Sequence, residues 1–202
     1  MMPAPNYLYR NKHDGTFEDV SVLSGTAVSG DGHEQGSMGA DFGDIDRDGK
    51  MDLFVTNFTQ QPDTLYLNRG TQGFDDISVS SGIAQPTVPY VGWGTGLVDF
   101  TNSGWLDIFI ANGRVYPQMD QVHMGVPYRQ PLQLFHNNHD RTFQDITHAA
   151  GLDKTPLKSR RGMAFGDINN DGQIDILLLN VGEPPTLLFN CTKARTMRFR
   201  SN

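Results

Sequence analysis

Two runs of alternating acids stand out as residues able to do chemistry. In DIDRDGKMD, Asp44, Asp46, Asp48 and Asp52 occupy positions 1, 3, 5 and 9, and Gly49 occupies position 6. DINNDGQID repeats the pattern with Asp167, Asn169, Asp171 and Asp175 around Gly172. Alternate side chains along a curled loop converge on one centre, and glycine at position 6 permits the sharp turn. The backbone carbonyls of Lys50 and Gln173 at position 7 add a further oxygen. An all-oxygen shell of hard ligands suits Ca2+, which accepts 6–8 oxygens in flexible geometry, and disfavours zinc or copper. Two carboxylates ~4 Å apart repel by ~4 kcal/mol at an effective dielectric of ~20, so a divalent cation turns strain into attraction. A third copy, DFTNSGWLD, keeps Asp99 and Asp107 but places Thr101 and Ser103 where the acids stood, with Trp105 at position 7. It reads as a weak site or as a turn without metal. An EF-hand needs an acid at position 12 and flanking helices. Position 12 is Val55 or Leu178, each inside a strand-like run, so that reading is rejected.

The elements that must hold these loops come from internal repetition. MGADFGDIDRDGKMDLFVTN, WGTGLVDFTNSGWLDIFIAN and RGMAFGDINNDGQIDILLLN align without gaps. Between them recurs a second block: LYRNKHDGTFEDVSVLSG, LYLNRGTQGFDDISVSSG and LFHNNHDRTFQDITHAAG. In each, an Asn (Asn11, Asn68, Asn137) precedes a Phe (Phe17, Phe74, Phe143) by six residues. A fourth copy starts at LLFN, residues 187–190, and then loses the spacing. Runs such as DLFVTN, DIFIAN and DILLLN have strand length and composition, and no window is convincingly helical. Four short strands per unit predict an all-β fold of propeller-type four-stranded blades. The units fall at about 1–35 (partial), 36–90, 91–155 and 156–190 (partial), followed by a tail at 191–202. Strand counting gives roughly three blades, expected as an open arc whose free edges favour self-association.

These blocks resemble FG-GAP/VCBS repeats. In the order LYRN…DGTFEDVS, GWGTGLVDFTNSGWLDIFIANGRVYPQ, SRRGMAFGDINNDGQIDILLLN, they resemble the bacterial relatives of cartilage acidic protein, the ASPIC/UnbV group. The resemblance implies a propeller, loop-bound calcium and an extracellular or periplasmic binding or adhesion role without catalysis. It also implies further blades, an export signal upstream and a small C-terminal domain, of which residues 191–202 would be the start.

Other features weigh less. A net charge of −7 argues against nucleic acid as a partner. No apolar run approaches the roughly 18 residues of a membrane helix, and no signal sequence opens the chain. A lone cysteine, Cys191, excludes an internal disulfide framework or a multi-thiolate centre. His136 and His139 read as parts of an exposed turn, and Trp93 and Trp105 as packing between blades. The insert at 113–131, with Tyr116, Met119, His123, Met124 and Tyr128, is a long loop that either binds or covers. Two function classes remain open: a calcium-stabilised module binding protein or glycan, and a propeller-scaffold lyase or hydrolase acting on polysaccharide. No catalytic set supports the second.

Overall fold

The computed structural model describes residues 3–120, 126–193 and 196–201. It is all-β apart from single-turn helical segments. A pair, β1 (Tyr9–Asn11) and β2 (Phe17–Asp19), precedes three four-stranded antiparallel sheets. The first holds β3 (Ala40–Gly43), β4 (Asp52–Val55), β5 (Thr64–Asn68) and β6 (Phe74–Asp76). The second holds β7 (Gly92–Val98), β8 (Asp107–Asn112), β9 (Leu132–Asn137) and β10 (Phe143–Asp145). The third holds β11 (Arg160–Gly166), β12 (Asp175–Asn180), β13 (Glu183–Asn190) and β14 (Phe199–Ser201). Each sheet is a meander in chain order, which is the build of a propeller blade. The sheets do not close into a ring; they form a partial propeller.

The innermost strands β3, β7 and β11 lie side by side. Glycine permits that approach. A Cβ on Gly39 would sit 1.9 Å from the Trp93 carbonyl, and one on Gly94 would sit 2.6 Å from that of Arg161. The cores lie between blades. Phe54, Leu65 and Leu67 of the first meet Ile108, Ile110 and Phe135 of the second. Phe109, Ala111 and Leu134 then meet Ile176, Leu178 and Leu188 of the third. Strand β8 is therefore buried on both faces, a continuous apolar run rather than an alternating one. Strand β12 faces a neighbour on one side alone, so Leu177 and Leu179 are 37% and 55% exposed.

The final sheet differs from the sequence expectation of a partial unit ending at residue 190. Residues 199–201 supply a fourth, β14, paired to β13 through Leu188↔Ser201 and Asn190↔Phe199. Phe199 is the repeat equivalent of Phe143, because both donate their backbone N–H to the knuckle of the preceding blade: Phe143 to the Ser81 carbonyl at 2.8 Å, Phe199 to that of Ala150 at 3.0 Å. The fourth repeat copy thus continues beyond LLFN. Its Asn190-to-Phe199 spacing is nine residues instead of six, which hid it.

Candidate metal centre

Each acidic loop is the hairpin joining the first two strands of a blade, closed by the pairs Gly43↔Asp52, Val98↔Asp107 and Gly166↔Asp175. One scaffold serves all three. The position-1 carboxylate accepts two backbone N–H groups from positions 5 and 6. Asp44 takes those of Asp48 and Gly49 at 3.1 and 2.9 Å, and Asp167 those of Asp171 and Gly172 at 3.0 and 2.8 Å. Asp99 takes those of Ser103 and Gly104 at 2.9 and 2.6 Å. The residue at position 4 adopts left-handed backbone in every copy: Arg47, Asn102 and Asn170 have φ of 61°, 54° and 58°. Thr101 and Ser103 therefore leave the loop shape intact while removing two carboxylates. Burial pushes the Asp99 carboxyl up, but the N–H groups of Ser103, Gly104 and Thr101 outweigh it and hold the group below the usual range.

In the first loop Asp44, Asp46 and Asp48 each offer an oxygen within 4.8 Å of the others. That donor set is all oxygen and fits a hard cation. Two cationic side chains already bear on it: Lys50 Nζ lies 2.5 Å from Asp48 Oδ2, and Arg141 reaches from the second blade to Asp46 Oδ2 at 2.8 Å. In the third loop Asp171 Oδ1 accepts the Gln173 N–H at 3.0 Å, and Asn169 Nδ2 donates to Asp171 Oδ2 at 2.9 Å.

The position-9 aspartates stand apart from the acids at positions 1, 3 and 5. Asp52 and Asp175 are wholly buried and Asp107 nearly so. Asp52 Oδ2 accepts the Ile45 N–H at 2.9 Å and Oδ1 the Asn68 N–H at 2.8 Å. Asp175 does the same with Ile168 at 3.1 Å and Asn190 at 2.8 Å. Each thus ties position 2 of its loop to the end of the third strand. Desolvation raises the Asp52 pKa above the carboxylate range; its N–H partners oppose this, and the charges of Asp46 and Asp44 add to it. Asp107 shows a variation: Oδ1 takes the Asn137 N–H and His136 Nδ1, while Oδ2 is enclosed without a partner among the described residues. The hydrogen bond to Asp107 raises the His136 pKa.

Contacts between blades lock the loops, and these the sequence reading missed. Asn137 Nδ2 donates to the Ile45 carbonyl at 2.9 Å, and Asn190 Nδ2 to that of Phe100 at 2.9 Å. In both cases the repeat asparagine grips position 2 of the preceding blade's loop. Asn102 Nδ2 reaches the Gly172 carbonyl at 2.9 Å, joining the second loop to the third. Trp105 stacks on His139 at 4.4 Å, with the Arg47 guanidinium 5.5 Å from its ring centre, so it does sit between the first two blades. The recurring asparagine was the available signal; Arg47 and Arg141 occur in one copy each and left none. Of the insert residues, His123 and Met124 lie outside the described residues.

A fan of meander sheets whose first hairpins carry acidic loops defines a propeller-type blade-repeat protein. The FG-GAP-like repeat model matches residues 3–55, 44–110 and 99–178, and the chain belongs to that family. It is similar to cartilage acidic protein 1 of Mus musculus, with 26% identity over 96% of this chain and 28% of the relative. The protein of the same name from Xenopus tropicalis is 27% identical over 86% of this chain and 25% of the relative. The chain spans about a quarter of the length of these relatives. Their identity agrees with the cartilage acidic protein group that the motif order indicated.

Proposed function

We propose that this chain is a calcium-stabilised, non-catalytic binding module of a protein acting outside the cytoplasm, with a protein or glycan ligand. The convergence of Asp44, Asp46 and Asp48 carries the reading. Calcium would be held by these three, the Lys50 carbonyl and Asp52, and in the third blade by Asp167, Asn169, Asp171, the Gln173 carbonyl and Asp175. Asp99, Thr101, Ser103, the Trp105 carbonyl and Asp107 form the weak member of the set. The ion supplies positive charge that cross-links carboxylates otherwise in mutual repulsion. The chain's own residues carry that rigidity onward, because Asn137, Asn190 and Arg141 fasten loops to neighbouring blades.

A non-catalytic role is favoured because the recognisable acids are engaged as loop scaffold or blade ties rather than as an isolated acid–base pair. Among the described residues no helix is long and apolar enough to cross a membrane. A glycan array run beside a chromogenic glycan-cleavage screen tests the reading. Retention of a ligand without turnover supports it. Reproducible turnover that one substitution outside the acidic loops abolishes would overturn it.

A further inference from the structure

Residues 8–25 build the outer half of a blade. In the repeat alignment β1 and β2 take the places that β5 and β6, or β9 and β10, hold in their sheets. The match extends to single hydrogen bonds. The Leu8 N–H donates to Ser21 Oγ at 2.7 Å, as Leu65 does to Ser78 Oγ at 2.9 Å and Leu134 to Thr147 Oγ1 at 3.0 Å. In the complete blades the third strand is paired on both edges, whereas β1 pairs with β2 alone among the described residues. Its inner edge is therefore open to another strand.

The other blades show what covers that edge. Phe42 is the repeat equivalent of Leu97 and Phe165, and Met51 of Leu106 and Ile174. Those four pack into the cores shared with a preceding blade, whereas Phe42 and Met51 are 44% and 51% exposed. Two cavities separate them from β1. One of about 210 Å³ lies between Tyr7 and Leu8 and the side chains of Phe42, Leu53 and Val55. The other, of about 450 Å³, is lined by Leu8, Arg10, Phe42, Met51 and Asn68. Two polar groups are also half used. Asn137 Nδ2 donates to its own Leu106 carbonyl and to Ile45 of the preceding loop, but Asn68 Nδ2 reaches its own Met51 carbonyl alone, at 2.8 Å. The N–H groups of Asn68, Asn137 and Asn190 each end on a position-9 aspartate. Asn11, their equivalent, meets no such aspartate among the described residues.

We propose that this groove docks a β-hairpin of the inner-blade type, carried by another polypeptide. That partner is two short strands joined by an acidic loop like DIDRDGKMD. The junctions between the first and second blades and between the second and third are the template, and the groove continues the same stack. The hairpin's second strand pairs with β1, adding main-chain hydrogen bonds at a free edge. Its position-9 aspartate accepts the Asn11 N–H, and its position-2 carbonyl accepts Asn68 Nδ2. A bulky apolar residue two places after the aspartate covers Leu53 and Val55, as Phe54 and Phe109 cover the blades that follow them. A second copy of this chain is a poorer occupant, because its own three such hairpins already lie within complete four-stranded sheets.

Titration calorimetry and thermal melts of the full chain test it, with a synthetic peptide copying residues 38–57 as the probe. The peptide is expected to bind one to one and raise the melting temperature, and a scrambled peptide of the same composition to do neither. Phe42→Ser with Met51→Ser is expected to melt close to wild type, since both side chains are already exposed, and to weaken the peptide at least about tenfold. A peptide carrying Phe54→Ala is expected to bind the unaltered chain about tenfold more weakly. Absence of binding, or equal binding of the parent and Phe54→Ala peptides, would overturn the site. Two other occupants give distinct results. A wild-type dimer in light scattering that the double variant dissociates would assign the groove to a second copy. A gain in melting temperature seen only when the same peptide is fused ahead of residue 1 would assign it to a covalently attached segment. Either result would overturn binding of a separate polypeptide.

Discussion

Replacing Asp175 with Ala should damage the protein whether or not calcium is present. Its carboxylate is fully buried and accepts N–H groups from Ile168 at 3.1 Å and Asn190 at 2.8 Å. Hydrogen bonds to a charged acceptor contribute about 1.5–3 kcal/mol each, and the alanine orphans the buried Asn190 N–H and the half-buried Ile168 N–H, so the loss is about 3–5 kcal/mol. For a chain of this size that is on the order of a 10 °C drop in melting temperature. Asp167→Ala supplies the contrast. That carboxylate also accepts two N–H groups, but it is exposed and water replaces it, so in chelator it should cost about 1 kcal/mol or less. Both variants are melted in excess chelator and in excess calcium. If Asp175→Ala melts no lower than Asp167→Ala in chelator, the buried carboxylate does not tie the loop to the third strand, and the reasoning fails.

Three further outcomes follow from the geometry. Gly39→Ala should destabilise by about 2–3 kcal/mol, because its Cβ would meet the Trp93 carbonyl at 1.9 Å. Gly162→Ala, 3.4 Å from the Leu179 Cδ1, should cost under about 1 kcal/mol in denaturant titration; equal costs would refute the backbone contact. Burial pushes the Asp63 carboxyl up to about 8, opposed by the Asn57 N–H. A raised folded-state pKa gives stability that is full below about pH 4 and lost as pH climbs through about 8. Asp63→Asn should therefore lose less melting temperature than wild type between pH 5 and pH 9, and parallel profiles would contradict the shift. Leu177→Thr with Leu179→Thr should reduce concentration-dependent association in light scattering, since both side chains sit on the open face of the third blade. A wild type that is monomeric at every concentration would remove the premise.

Blade architecture was legible because three gapless copies of DLFVTN-type runs and LYLN-type runs carry both strand propensity and a fixed spacing. Loop position was legible for the same reason: the acids, the glycine and the flanking strands recur together. What stayed hidden was set by tertiary contact. The extra three residues between Asn190 and Phe199 broke the spacing that would have revealed β14. The position-9 aspartates looked like any other acid of the loop, and burial gave them a second task. Arg141 reaches Asp46 across 95 residues, and no local pattern forecasts such a pair. Of the predicted ligands, Asp44, Asp46 and Asp48 come together, while Asp52, Asp107 and Asp175 lie beneath their loops.

Calcium titration with a matched chelator control, on wild type and on Asp44→Ala with Asp48→Ala, tests the central claim most directly. Ligand at about 100 times its dissociation constant stabilises by about 2.7 kcal/mol, or roughly 5–10 °C for a chain of this size. Wild type should gain a shift of that order in calcium, and the double variant should lose most of it. Asp99→Ala with Asp107→Ala should keep most of the shift, although it melts lower throughout. Identical melting of wild type in calcium and in chelator would contradict the account.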